Sequence, residues 1–102
     1  MYSIEDFRSV HSLSQIIITQ HSRKRFAERG ISIIDVCEAI GNGEIIEQYP
    51  DDFPFPSCLI LGQSNGKVIH VVASLDDGVM YIITAYIPDS AKWENDWKTR
   101  KE

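Results

Sequence analysis

A chain of 102 residues, 43% of them hydrophobic and 25% charged, suits one globular domain over residues 1–102 that builds a core without metal or disulfide staples. Its net charge of −5 excludes a general nucleic-acid coat protein but leaves room for a local basic cleft. Cys37 and Cys58 have no CxxC spacing, no apolar run reaches membrane-spanning length, and Met1–Val10 carries Glu5, Asp6 and Arg8 rather than a leader's apolar stretch, so a cytoplasmic protein with free cysteines is expected.

Ser3-Ile4-Glu5-Asp6 is a capping-box pattern ahead of Phe7 and Val10, and a brief helix is predicted there. Gln15–Thr19 is short and β-branched, either an edge strand or an extended lead-in. The next helix ends at Gly30 and holds Arg23, Lys24, Arg25 and Arg29, four of the chain's ten basic side chains. His21, Arg25 and Arg29 stand four apart and share one helix face. Such a stripe repels itself, which leaves two readings: a solvated basic face, or half of a phosphate-binding site. Ser32-Ile33-Ile34-Asp35 is a second capping box, and Ile33, Val36, Cys37 and Ile40 form an apolar stripe that ends at Gly41-Asn42-Gly43.

After Gly43 the period changes to that of strands. Glu44–Tyr49 suits a half-buried strand, and Pro50–Pro56, with three prolines, suits an ordered loop bearing Phe53 and Phe55. Ser57–Leu61, Lys67–Leu75 and Val79–Ile87 are three further strands, with an Asn65-Gly66 hairpin between the first two. If Asp76-Asp77-Gly78 is a three-residue loop, Leu75 pairs with Val79, His70 lies opposite Thr84, and Val68 lies opposite Tyr86, all on one face. A two-residue turn would change that register. Trp93 and Trp97, four apart, imply a short C-terminal helix or a tail laid on the sheet. The expected architecture is α+β, with N-terminal helices packed on a four-stranded antiparallel meander.

His70, Thr84 and Tyr86 are the polar exceptions in the apolar strands. Together with the arginine stripe they suit phosphodiester chemistry: a base for a 2′-hydroxyl, an acid for the leaving oxygen, and cations for the phosphorane charge. Each also has a plainer structural reading, a hydrogen-bonded core histidine and a tyrosine capping the core. Phe53, Phe55 and Tyr49 are candidates for stacking on bases or for anchoring the loop. His11, His21, His70, Cys37 and Cys58 show no metal-ligand spacing, so neither metal nor cofactor is expected. A helix-turn-helix role is disfavoured because no Lys or Arg occurs between Gly30 and Gly66.

One set of motifs runs Thr19-Gln20-His21-x-x-x-Arg25-x-x-x-Arg29-Gly30-Ile31-Ser32, Asn42-Gly43-Glu44-Ile45-Ile46-Glu47-x-Tyr49 and Pro56-Ser57-Cys58-Leu59-x-Leu61-Gly62. It continues through Ile69-His70-Val71-Val72 and Thr84-x-Tyr86-x-Pro88 to Trp93. This set resembles the DUF4258-type family of small bacterial domains, which is grouped with RelE-, BrnT- and MqsR-like toxins. The resemblance implies a RelE-like fold and metal-independent endoribonuclease activity on mRNA, free or ribosome-bound. It also implies a partner antitoxin of zinc-finger or helix-turn-helix type. Under that reading His21 and His70 do acid–base work, Tyr86 positions or donates a proton, and Arg25, Arg29 and Thr84 hold the substrate. The alternative is a non-enzymatic protein-binding module that keeps the toxin-like fold.

Overall fold

The computed structural model describes residues 1–10 and 13–102, with Leu13 described by its backbone alone. His11, weighed above as a metal ligand, lies outside the described residues. Helix α1 (Ile4–Arg8) starts where Asp6 accepts a 2.8 Å bond from Ser3 N–H. After a 3-10 turn (Leu13–Gln15) come strand β1 (Ile16–Ile18) and helix α2 (Gln20–Glu28), capped by Thr19 Oγ1 accepting from Ser22 N–H at 3.1 Å. Gly30 ends α2 at φ 70°, where Ile31 N–H turns back to Phe26 O at 2.8 Å. Helix α3 (Ile33–Asn42) carries the second capping box, closed by Ser32 and Asp35 in both directions. Strands β2 (Glu44–Tyr49), β3 (Ser57–Ser64), β4 (Lys67–Asp76) and β5 (Val79–Tyr86) follow.

The sheet has five strands in the order β1-β5-β4-β3-β2, and β1 runs parallel to β5. The expectation of a four-stranded antiparallel meander is therefore corrected to a five-stranded mixed sheet, with three α-helices among the described residues. The meander itself is present, but β5 would otherwise expose an apolar edge. Ile16–Ile18 pairs with Met80–Ile82 and shields three of the eight residues of β5. The C-terminal stretch forms no helix; it lies across the sheet, tied by an antiparallel bridge between Trp93 and Arg100.

The loop between β4 and β5 also differs from expectation. Asp77 (φ 50°) and Gly78 (φ 77°) both occupy the left-handed region, which makes a two-residue hairpin turn with Asp76 opposite Val79. A bulge at Ile83 then shifts the register, so His70 lies opposite Tyr86 and Val72 opposite Thr84. His70 is thus two pairs along the ladder from Thr84, not opposite it, and Val68 does not face Tyr86. All four of His70, Val72, Thr84 and Tyr86 still share a face, because alternation along β4 is unbroken.

The other face carries Ile69, Val71, Ala73, Ile82 and Ala85, packed against Phe7, Phe26, Val36 and Ile40 from the helices. Here α3 lies directly on β3. A Cβ added at Gly62 would come within 2.0 Å of Ala39 O, and one at Gly43 within 2.4 Å of the same atom. Only glycine permits that approach. Asp35 anchors the far end of α3: its carboxylate accepts from Ser64 Oγ (2.7 Å) and faces Lys67 Nζ (3.7 Å). The Ser32 backbone N–H, the Ser64 hydroxyl and Lys67 together hold its pKa down at about 2, against the desolvation that opposes them.

Candidate functional site

Helix α2 lies along the part of the β5 edge that β1 leaves uncovered. Ser22 Oγ donates to Ile83 O at 3.1 Å, and Arg29 Nη1 donates to Ala85 O at 2.7 Å and reaches Thr84 Oγ1 at 3.3 Å. These two side chains satisfy edge carbonyls that would otherwise be open to another strand. At about 100° per residue, the helix face turns from Phe26, in the core on one side of the sheet, through Ser22 and Arg29 at the edge. The next positions round are Arg25 and His21, which therefore flank the opposite face, the one bearing Thr84 and Tyr86. Arg25 Nε donates to His21 Nε2 at 3.0 Å, which makes Nε2 the unprotonated ring nitrogen. Both side chains are exposed.

His70 is in a different position. It is 0% exposed, covered by the C-terminal tail. Its Nε2 bonds the carbonyl of Trp97 at 2.6 Å, and the Trp93 ring stands edge-on with centroids 4.6 Å apart. A carbonyl only accepts, so Nε2 carries the proton and Nδ1 is the acceptor. Tyr86 therefore donates its hydroxyl proton to His70 Nδ1, at 3.3 Å. Burial lowers the His70 pKa. The Trp97 carbonyl and Glu47 oppose that shift, and Arg100 adds to it. Burial likewise raises the Tyr86 pKa, which keeps the phenol protonated. In this conformation His70 has no surface for a substrate, and its side-chain hydrogen-bond partner is Tyr86.

The tail is held by charge as well as by aromatic contact. Arg100 meets the Glu47 carboxylate in two bonds of 2.8 and 2.9 Å and lies 4.6 Å from the Trp93 ring centroid. Lys98 pairs with Glu44 at 3.1 Å. Tyr49 donates to Glu47, and desolvation pushes its pKa up to about 12. Trp97 is in the left-handed region at φ 60°, a conformation uncommon for a bulky residue.

The structure thus places two bonded pairs on the β4–β5 face, Arg29 with Thr84 and Tyr86 with His70, with His21 and Arg25 on the adjoining helix wall. The tail covers one end of that face. The Pro50–Pro56 loop covers the other, where Phe55 meets Tyr81 with centroids 5.5 Å apart. Sequence reasoning overlooked the Trp97 carbonyl, the Glu47–Arg100 pair and Tyr81. A backbone acceptor leaves no trace in side-chain identity. Glu47 and Arg100 are 53 residues apart, and nothing local links them.

The family model for the domain of unknown function DUF4258 matches residues 18–87, more than half of the chain. The chain belongs to the DUF4258 family. The DUF4258 match contains His21, Arg25, Arg29, His70, Thr84 and Tyr86, and stops before the tail that seals His70. No curated protein and no solved structure matches the chain. Among the described residues no helix is long and apolar enough to cross a membrane.

Proposed function

We propose that this DUF4258 domain is a toxin-like endoribonuclease of the RelE-like kind, acting in the cytoplasm and restrained by an antitoxin. The observation that carries the reading is the contact of Arg29 with Thr84, which joins the cationic stripe of α2 to the strand bearing Tyr86. Cation, imidazole and protonated phenol then border one open strip of sheet. A phosphodiester lying there takes its charge to Arg25 and to the outward N–H groups of Arg29. Drawing Arg25 onto the phosphate frees His21 Nε2, which accepts the proton of the 2′-hydroxyl. The 2′-oxygen attacks phosphorus, the bond to the 5′-oxygen breaks, and Tyr86, turning its hydroxyl proton away from His70 Nδ1, supplies that proton to the leaving oxygen. The products are a 2′,3′-cyclic phosphate and a 5′-hydroxyl. His70, locked in one tautomer by Trp97, is a positioning residue for the Tyr86 hydroxyl.

Purified protein incubated with RNA, alone and with ribosomes, in the presence of a chelator, tests this reading. Cleavage is expected, with a loss on the order of a hundredfold or more in His21→Ala and Arg25→Ala. The second reading, a binding module without catalysis, is favoured by the sealing of His70. It predominates if wild-type protein leaves RNA intact in both conditions yet forms a stable complex with a partner protein.

A further inference from the structure

Exposed large apolar side chains are few among the described residues, and three of those six cluster at one place. Ile17 (45% exposed), Phe53 (94%) and Ile83 (44%) surround a pocket with Phe55 and Tyr81, at the end of the β1–β5 face next to α2. Phe53 adds nothing to the core; the fold alone gives no reason for a bare phenyl ring there. Phe55 and Tyr81 form a tilted aromatic pair at the pocket's side, 33° between planes. Polar groups rim the apolar surface. Thr19 and Ser22 come from the start of α2, Ser74 from β4, and Asp52 from the loop.

We propose that this pocket binds an unpaired nucleobase of a single-stranded RNA whose phosphates run along Arg25 and Arg29. The inference rests on the RNA reading above and names the part of the substrate that reading leaves unassigned. Charge decides among occupants. The cations lie on the α2 wall, Arg25 about one turn and Arg29 about two turns from Ser22, while the loop carries Asp51 and Asp52. A polyanion therefore fits the wall, and only an uncharged, flat group fits the loop. An acidic peptide would set carboxylates against Asp51 and Asp52. Asp52 Oδ2 accepts from Ser57 Oγ, and Oδ1 is the oxygen left for an exocyclic amino group, which adenine, guanine and cytosine all carry. Bases stack on aromatic rings with little sequence preference, so the pocket sets where a strand sits more than which sequence it has.

Fluorescence anisotropy with a 2′-O-methylated, uncleavable single-stranded octamer tests the assignment. Phe53→Ala is expected to weaken binding on the order of tenfold with the salt dependence unchanged, and Phe53→Tyr to restore it. Arg25→Ala is expected to flatten the salt slope by about 0.7. A duplex RNA of the same sequence should show no dependence on Phe53. Because Phe53 is 94% exposed, its replacement does not threaten the fold. Wild-type affinity in Phe53→Ala, alongside weakened binding in Arg25→Ala, would overturn the base pocket, leave the RNA reading standing, and turn the pocket over to a protein partner. Absence of octamer binding by the wild type would remove both.

Discussion

Replacing His70 by Gln separates its structural load from its titration. Glutamine keeps a donor for Trp97 O and an acceptor for Tyr86 but cannot take a proton. The loss of ring contacts with Trp93 and Tyr86 should cost about 1–2 kcal/mol at neutral pH. The pH dependence is more telling. The folded pKa of His70 lies below its ordinary value of 6.5, chiefly through burial, with Arg100 reinforcing and Glu47 and the Trp97 carbonyl opposing. Below pH 6.5 the unfolded chain therefore binds a proton that the folded one does not. Stability from this group is full above 6.5 and is lost as pH falls through the window between 6.5 and the folded value. The slope is at most about 0.7 kcal/mol per pH unit at 6.5 and cannot exceed about 1.4 at any pH. Asp35, held at about 2, and Glu47, also lowered, lose stability in the same direction but only in the more acidic carboxylate range. Urea unfolding at pH 7.5, 6.5 and 5.5 reads the difference. Wild type should lose stability across this range while His70→Gln stays flatter; parallel curves would refute the claim that the tail keeps His70 neutral.

Two further outcomes concern the frame around the site. Gly62→Ala should cost about 3 kcal/mol or more, because the new methyl meets the Ala39 backbone of α3 and not a side chain that can swing away; thermal melts measure this. Arg100→Ala should cost only about 1–2 kcal/mol, since its pair with Glu47 is partly exposed and screened, and the Trp93 contact adds a similar small amount. Most of the ion-pair part should vanish in wild type at 1 M salt, as denaturation midpoints can show.

Periodicity revealed the helices and the four-strand meander because each of those elements keeps its own rhythm over five or more residues. It left the edge strand at Ile16–Ile18 as one of two readings and could not reveal its parallel pairing with β5. Ile16–Ile18 has three identical residues, hence no alternation, and its partner is over sixty positions away. The β4–β5 register was hidden for a related reason. The run Ile82-Ile83 gives no sign that Ile83 is bulged, and Asp76-Asp77-Gly78 allows either turn length. The two tryptophans at helical spacing proved to be a clasp across His70. The stripe of His21, Arg25 and Arg29 was visible from spacing alone, but its division of labour was not. Arg29 seals a strand edge, whereas Arg25 and His21 are bound to each other and exposed.

RNA cleavage by 2′-hydroxyl attack, with α2 and β5 supplying the groups as proposed, leaves a chemical signature at the cut ends. Mapping the ends of RNA treated with purified protein and chelator tests it most directly, using a substrate and its 2′-deoxy counterpart at the cut position. The expected result is 2′,3′-cyclic phosphate and 5′-hydroxyl ends from the RNA, none from Arg25→Ala, and no cut in the deoxy substrate. Intact RNA, with and without ribosomes, or equal cutting of the deoxy substrate, would contradict it.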